Sequence, residues 1–119
     1  MRLLLTVLLL CLPLSAAAQN WKLRDNDTRL DSVQLAEALI DQKIVFFDNG
    51  ESKFSEDGAY SYTYDQGGTA YGRYTISDDS TVCIAFDNGF SRCDKYVHDG
   101  TRLVLLTEDG NRFPVKELR

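Results

Sequence analysis

The sequence predicts a mainly β protein: an antiparallel meander or small barrel of seven or eight strands, with one helix before it. Turn signals recur roughly every eight to eleven residues. They are Asp48-Asn49-Gly50, Asp57-Gly58, Gln66-Gly67-Gly68, residues 77–80, Asp87-Asn88-Gly89, Asp99-Gly100 and Asp109-Gly110. Between them lie short runs rich in β-branched and aromatic residues, at 43–47, 52–54, 59–65, 69–76, 81–86, 90–97, 102–107 and 112–115. The connections are shorter than the dozen or so residues a parallel crossover needs, so strands adjacent in sequence should pair antiparallel.

The first segment reads as an export signal. Arg2 is followed by the apolar run 3–12, Pro13, and the small residues Ala16, Ala17 and Ala18. An apolar core of about ten residues is half the length that spans a bilayer, which predicts a signal peptide over 1–18, cleaved after Ala18. Residues 19–119 then form a single β-rich domain, periplasmic or secreted, with no membrane insertion after cleavage. Cys11 follows Leu10 inside the apolar run and lacks the small residue that precedes a lipidated cysteine.

Residues 21–30 show no periodicity. At Asp31 or Ser32 a helix can be capped, with Gln34 three residues after Asp31 as capping-box partner. Val33, Leu35, Ala36, Leu39 and Ile40 recur at helical spacing, predicting a helix over 32–42 that covers a sheet face or plugs a barrel end. Loss of Cys11 with the signal leaves Cys83 and Cys93 in an oxidising compartment, where a structural disulfide is expected. A three-residue loop at 87–89, with Gly89 left-handed, sets Phe86 against Phe90 and brings Cys83 opposite Cys93. Closing so short a loop contributes about 2 to 3 kcal/mol.

Thirteen Lys and Arg against eighteen Asp and Glu give a net charge of -5. That argues against nucleic acid and anionic membrane surfaces as partners, since both need clustered basic side chains. Asp25, Asp27 and Asp31 resemble the start of a calcium loop, but Arg29 and Leu30 stand where a ligand and the obligatory glycine belong. Neither metal nor cofactor is expected. His98, the single histidine, lies beside a turn with no serine elbow in the chain, and Gly67-Gly68 joins two strands and does not precede a helix. The acids cluster at turns without a spacing that pairs them for catalysis, so the protein is predicted not to be an enzyme.

An aromatic stripe stands out instead. Tyr60, Tyr62 and Tyr64 alternate with polar residues and share one sheet face, with Tyr71, Tyr74 and Tyr96 on nearby strands. Such a face suits a sugar, peptide or protein, although tyrosines also pack across strands for purely structural reasons. Arg92 shares a face with Val82, Ile84, Phe86, Phe90, Asp94 and Tyr96. It is either a pocket residue or, as preferred, half of a partly buried ion pair. The predicted ligand contacts are Tyr60, Tyr62, Tyr64, Tyr71, Arg73 and Arg92.

From Phe54 onward the chain resembles small uncharacterised periplasmic proteins of proteobacteria. The likeness lies in Phe54 with Asp57-Gly58, Gly72-Arg73-Tyr74-Thr75-Ile76, Asp78-Asp79, Val82-Cys83, Cys93, Gly100 and Gly110, with Tyr74 where those proteins usually carry Trp. It implies a lipocalin-like or avidin-like meander and no activity. Gly68-Thr69-Ala70-Tyr71 is more weakly similar to periplasmic lysozyme inhibitors. The expected function is an exported, non-catalytic binding or structural protein whose aromatic face meets an envelope protein or glycan. The alternatives are an inhibitor of a hydrolase such as lysozyme and a lipocalin-like carrier of a small molecule.

Overall fold

A computed structural model of the chain describes residues 20–119. The predicted signal peptide and Cys11 lie outside the described residues. A two-residue strand, β1 (Thr28–Arg29), precedes one helix, α1 (Ser32–Leu39). Eight strands follow: β2 (Lys43–Phe46), β3 (Glu51–Phe54), β4 (Ala59–Thr63), β5 (Thr69–Ile76), β6 (Thr81–Phe86), β7 (Ser91–His98), β8 (Leu103–Thr107) and β9 (Arg112–Leu118). Each pairs antiparallel with the next, and β9 returns to pair with β2, so the meander closes into an eight-stranded barrel. Closure leaves no exposed sheet edge in the ring.

The helix starts as the sequence predicts. Asp31 accepts from the Gln34 amide and the Gln34 side chain accepts from the Asp31 amide, completing the capping box. It ends three residues before the expected Gln42. Ile40 bridges to Phe54, and Asp41 takes a positive φ of 59° while its amide donates to the Phe54 carbonyl, so tertiary pairing pulls the chain out of the helix. Leu35 and Leu39 are fully buried and plug one end of the barrel, joining Ile44, Phe54, Val82, Ile84, Tyr96 and Val115 in the interior. The plug is fastened by Ser80, whose hydroxyl accepts from the Leu30 amide at 2.7 Å and donates to the Leu30 carbonyl at 2.8 Å. Asp78 accepts from the Ser32 hydroxyl and amide.

The aperiodic segment before the helix has a role that its sequence conceals. Residues 20–29 run over the outside of the barrel, where Trp21 covers Val97, Val104 and Leu106 and the Lys95 ammonium sits 5.2 Å from the Trp21 ring. β1 pairs with the part of β7 that extends past the end of β6. Asp27 receives two hydrogen bonds from the Arg112 guanidinium, at 2.6 and 2.9 Å, and Arg112 also donates to the Lys22 carbonyl. Asp27 therefore serves as a fastening for this strap. Both side chains are nearly excluded from water.

Cys83 and Cys93 are bonded directly across β6 and β7, and Phe86 faces Phe90 around a loop whose Gly89 has φ 89°. The register deduced from the loop residues is the observed one. Among the described residues no helix is long and apolar enough to cross a membrane.

Candidate functional site

The turns β2–β3, β4–β5, β6–β7 and β8–β9 gather at the end of the barrel opposite the helix, and this end is open. Alternation along β4 sends Tyr60 and Tyr62 inward, with Tyr64 following just past the strand. The three rings descend from rim to floor: Tyr64 is 53% exposed, Tyr62 half-buried, and Tyr60 only 8% exposed. β6 and β7 run from the opposite wall, contributing Phe86, Arg92 and Asp94. Phe46, Ser52, Leu105 and Phe113 complete the lining, with Asp48 at the rim. The enclosed volume is about 260 Å³.

The walls are rings set at steep angles. Tyr62 and Tyr64 meet at 4.9 Å and 77°, and Tyr60 meets Phe86 at 5.9 Å and 76°. Phe90 stacks on Phe86 at 6.0 Å and extends the aromatic surface outward, itself 61% exposed. Edge-to-face contacts of this kind hold the rings in place, and Phe54 packs on Tyr60 at 5.0 Å from below. Two glycines make room for them. A Cβ at Gly50 would stand 1.9 Å from the Tyr62 hydroxyl, so only glycine lets that ring lie across the β2–β3 turn. At Gly72, opposite Tyr60 and Phe86, a Cβ would meet the Ala85 carbonyl oxygen at 2.4 Å, so the bare backbone permits close approach of β5 to β6.

The polar groups of the cavity are engaged with one another. Arg92 donates from Nε and Nη2 to the two oxygens of Asp94, at 2.9 and 2.8 Å, and Tyr60 shares a 2.9 Å hydrogen bond with Ser52. The preferred ion-pair reading of Arg92 and the pocket reading are therefore both met, because the pair itself lines the cavity. Burial pushes the Asp94 carboxyl up, against the opposing pull of Arg92, and the negative charges of Glu108 and Asp109 push the same way. The Asp94 hydrogen bond holds Arg92 above its ordinary value. Burial moves the Tyr60 hydroxyl up to about 12, partly offset by Ser52, and raises Tyr62 as well. Both phenols stay neutral over the physiological range.

Of the predicted contacts, the structure brings Tyr60, Tyr62, Tyr64 and Arg92 together and leaves two outside. Tyr71 and Arg73 pair with Ser61 and Ala59, so pleat alternation turns them to the outer surface. Tyr71 is exposed there, and Arg73 donates to the Asp57 carbonyl. The expected open sheet face is the concave inside of a barrel mouth. Sequence reasoning missed Phe46, Asp48, Ser52, Leu105 and Phe113; Asp48, two residues before Gly50, was visible only as turn grammar. Among the described residues no group of three or more His, Cys, Asp or Glu is placed to hold a metal ion. Comparison with family models, curated proteins and solved structures found no match.

Proposed function

We propose that the protein is an exported, non-catalytic binding module and that the open barrel mouth is its binding site. One observation carries the reading: a 260 Å³ cavity walled by Tyr60, Tyr62, Tyr64 and Phe86, with further aromatic rings left exposed at its rim. Size selects the occupant. Pockets that enclose whole small molecules run from about 300 to 1,000 Å³, so this cavity accepts one ring-sized group. Tyr64, Phe90 and Phe113 offer apolar contact beyond it, which suits a group projecting from a larger extracytoplasmic protein or glycan. A hydrolase inhibitor is the special case in which that group belongs to an enzyme. The same volume disfavours a carrier of long lipids. Export rests on the leader sequence and the Cys83–Cys93 disulfide.

The test is a titration of the isotope-labelled protein with p-cresol and methyl β-glucoside, followed by amide chemical shifts. Shifts are expected to concentrate at Asp48 to Ser52, Tyr60 to Tyr64 and Phe86 to Asp94. Gly50→Ala, which forces the Tyr62 ring aside, is expected to remove them with the barrel still folded. Millimolar probe that moves no mouth resonance, or moves only resonances elsewhere, would overturn the reading.

A further inference from the structure

Resting on that reading of the mouth, we propose that the group it recognises is a methylated ammonium, a choline-like end borne by a larger ligand. Three observations lead there.

The first is the form of the walls. Tyr62 with Tyr64, and Tyr60 with Phe86, are two ring pairs each set near a right angle, and paired rings of this kind box in a compact cation. Among the described residues the cation–π contacts are Lys95 on Trp21 and Arg102 on Phe47, both away from the cavity; Arg92 lines the same cavity, but its guanidinium is turned to Asp94 and not laid over a ring.

The second is charge. Arg92 is matched by the two oxygens of Asp94, which makes the pair neutral overall. Every turn at the mouth then adds carboxylate: Asp48, Asp65, Asp87, and Glu108 with Asp109. Lys116 reaches the β2–β3 turn, where it donates to Asn49, but the carboxylates outnumber it, so the field at the entrance is negative and favours a cation over an anion.

The third is the state of the acceptors, which decides between kinds of cation. A primary ammonium presents three N–H donors and needs acceptors for them when it leaves water. Here the acceptors on the cavity floor are engaged, Asp94 by Arg92 and Ser52 by Tyr60, while Asp48, one oxygen of which takes the Gly50 amide at 2.8 Å, stands at the rim beside water. A methylated ammonium carries its charge without such donors and requires only ring faces and a negative field. The rim carboxylates also work against a phosphate next to the ammonium, so a quaternary amine with no phosphate beside it fits better than a phospholipid headgroup.

Chemical-shift titrations of the intact domain with choline, phosphocholine, benzoate and 3,3-dimethylbutan-1-ol test this. The last compound is the neutral isostere of choline. Choline is expected to bind at least about tenfold more tightly than the isostere, phosphocholine more weakly than choline, and benzoate least. Raising salt should weaken choline and leave the isostere unchanged. Tyr62→Ala is expected to reduce choline binding about fivefold or more, and Tyr71→Ala, on the outer surface, to leave it unaltered. Equal binding of choline and the isostere, or preference for benzoate, overturns the inference. If p-cresol moves the mouth resonances and choline does not, the ammonium assignment falls and the binding mouth stands. Should neither bind, both fall.

Discussion

The two ends of the barrel are built from the same hairpin grammar and do opposite things with their side chains. At the closed end Leu35 and Leu39 are fully buried, Ser80 is fully buried with its hydroxyl bonded both ways to Leu30, and Asp31 and Asp78 are tied to the helix start. At the mouth Tyr64, Phe90 and Phe113 stand about half exposed around an unfilled space. A domain of this size has little buried area to spare, so apolar surface left open at one end has to be compensated by close packing at the other. The difference teaches that close packing and open aromatic surface are separated along the barrel axis.

Leu39→Ala at the closed end should have the largest effect. It leaves a cavity beneath the helix and is expected to cost about 2 to 5 kcal/mol, read as a fall in the urea midpoint with an unchanged slope. A loss below about 1 kcal/mol would mean the helix is a lid and not a plug, and the comparison would break.

Next comes the strap. Hydrogen bonding from Arg112 holds the Asp27 carboxyl below its ordinary value of 3.8. A lowered carboxylate contributes stability that is in place above the unfolded value and is lost as pH falls through the folded one. Acidification below about pH 4 should therefore release residues 20–29. Trp21 is the single tryptophan, so its fluorescence reports this directly. A red shift is expected in acid, and Asp27→Asn should show much of that shift already at neutral pH. Fluorescence that changes only together with global unfolding would contradict a separately fastened strap.

The smallest effect is expected at the rim. Tyr64→Ala should change stability by less than about 1 kcal/mol, because the ring is half exposed and touches mainly Tyr62. A larger loss, measured by the same denaturant titration, would show that the mouth rings hold the barrel together and would sharpen the structural reading at the expense of the binding one.

Much of this architecture is legible in the residues. The turn spacing, the capping box and the Phe86/Phe90 loop are local features, and local chemistry settles them. Strand β1 is too short to carry a period and exists because β7 outruns β6. The end of α1 depends on Phe54, fourteen residues beyond Ile40 in the chain. The tyrosine stripe is visible as a shared face, but whether that face is convex or concave depends on closure between β2 and β9. Tyr71 and Arg73 were misplaced for the same reason: the pairing of Tyr71 with Ser61 and Arg73 with Ala59 had to be known before their parity could be read.

The seam between β2 and β9 also governs the order of assembly. Ile44 pairs with Leu118, and Lys43 exchanges backbone hydrogen bonds with Arg119, joining residues more than seventy positions apart. In a chain that emerges from its N-terminus, β2 must wait with one side unpaired until the last strand arrives. Without β9, β2 and β8 would both be bare and expose two adhesive edges on one molecule, so the barrel cannot seal until β9 has paired on both sides.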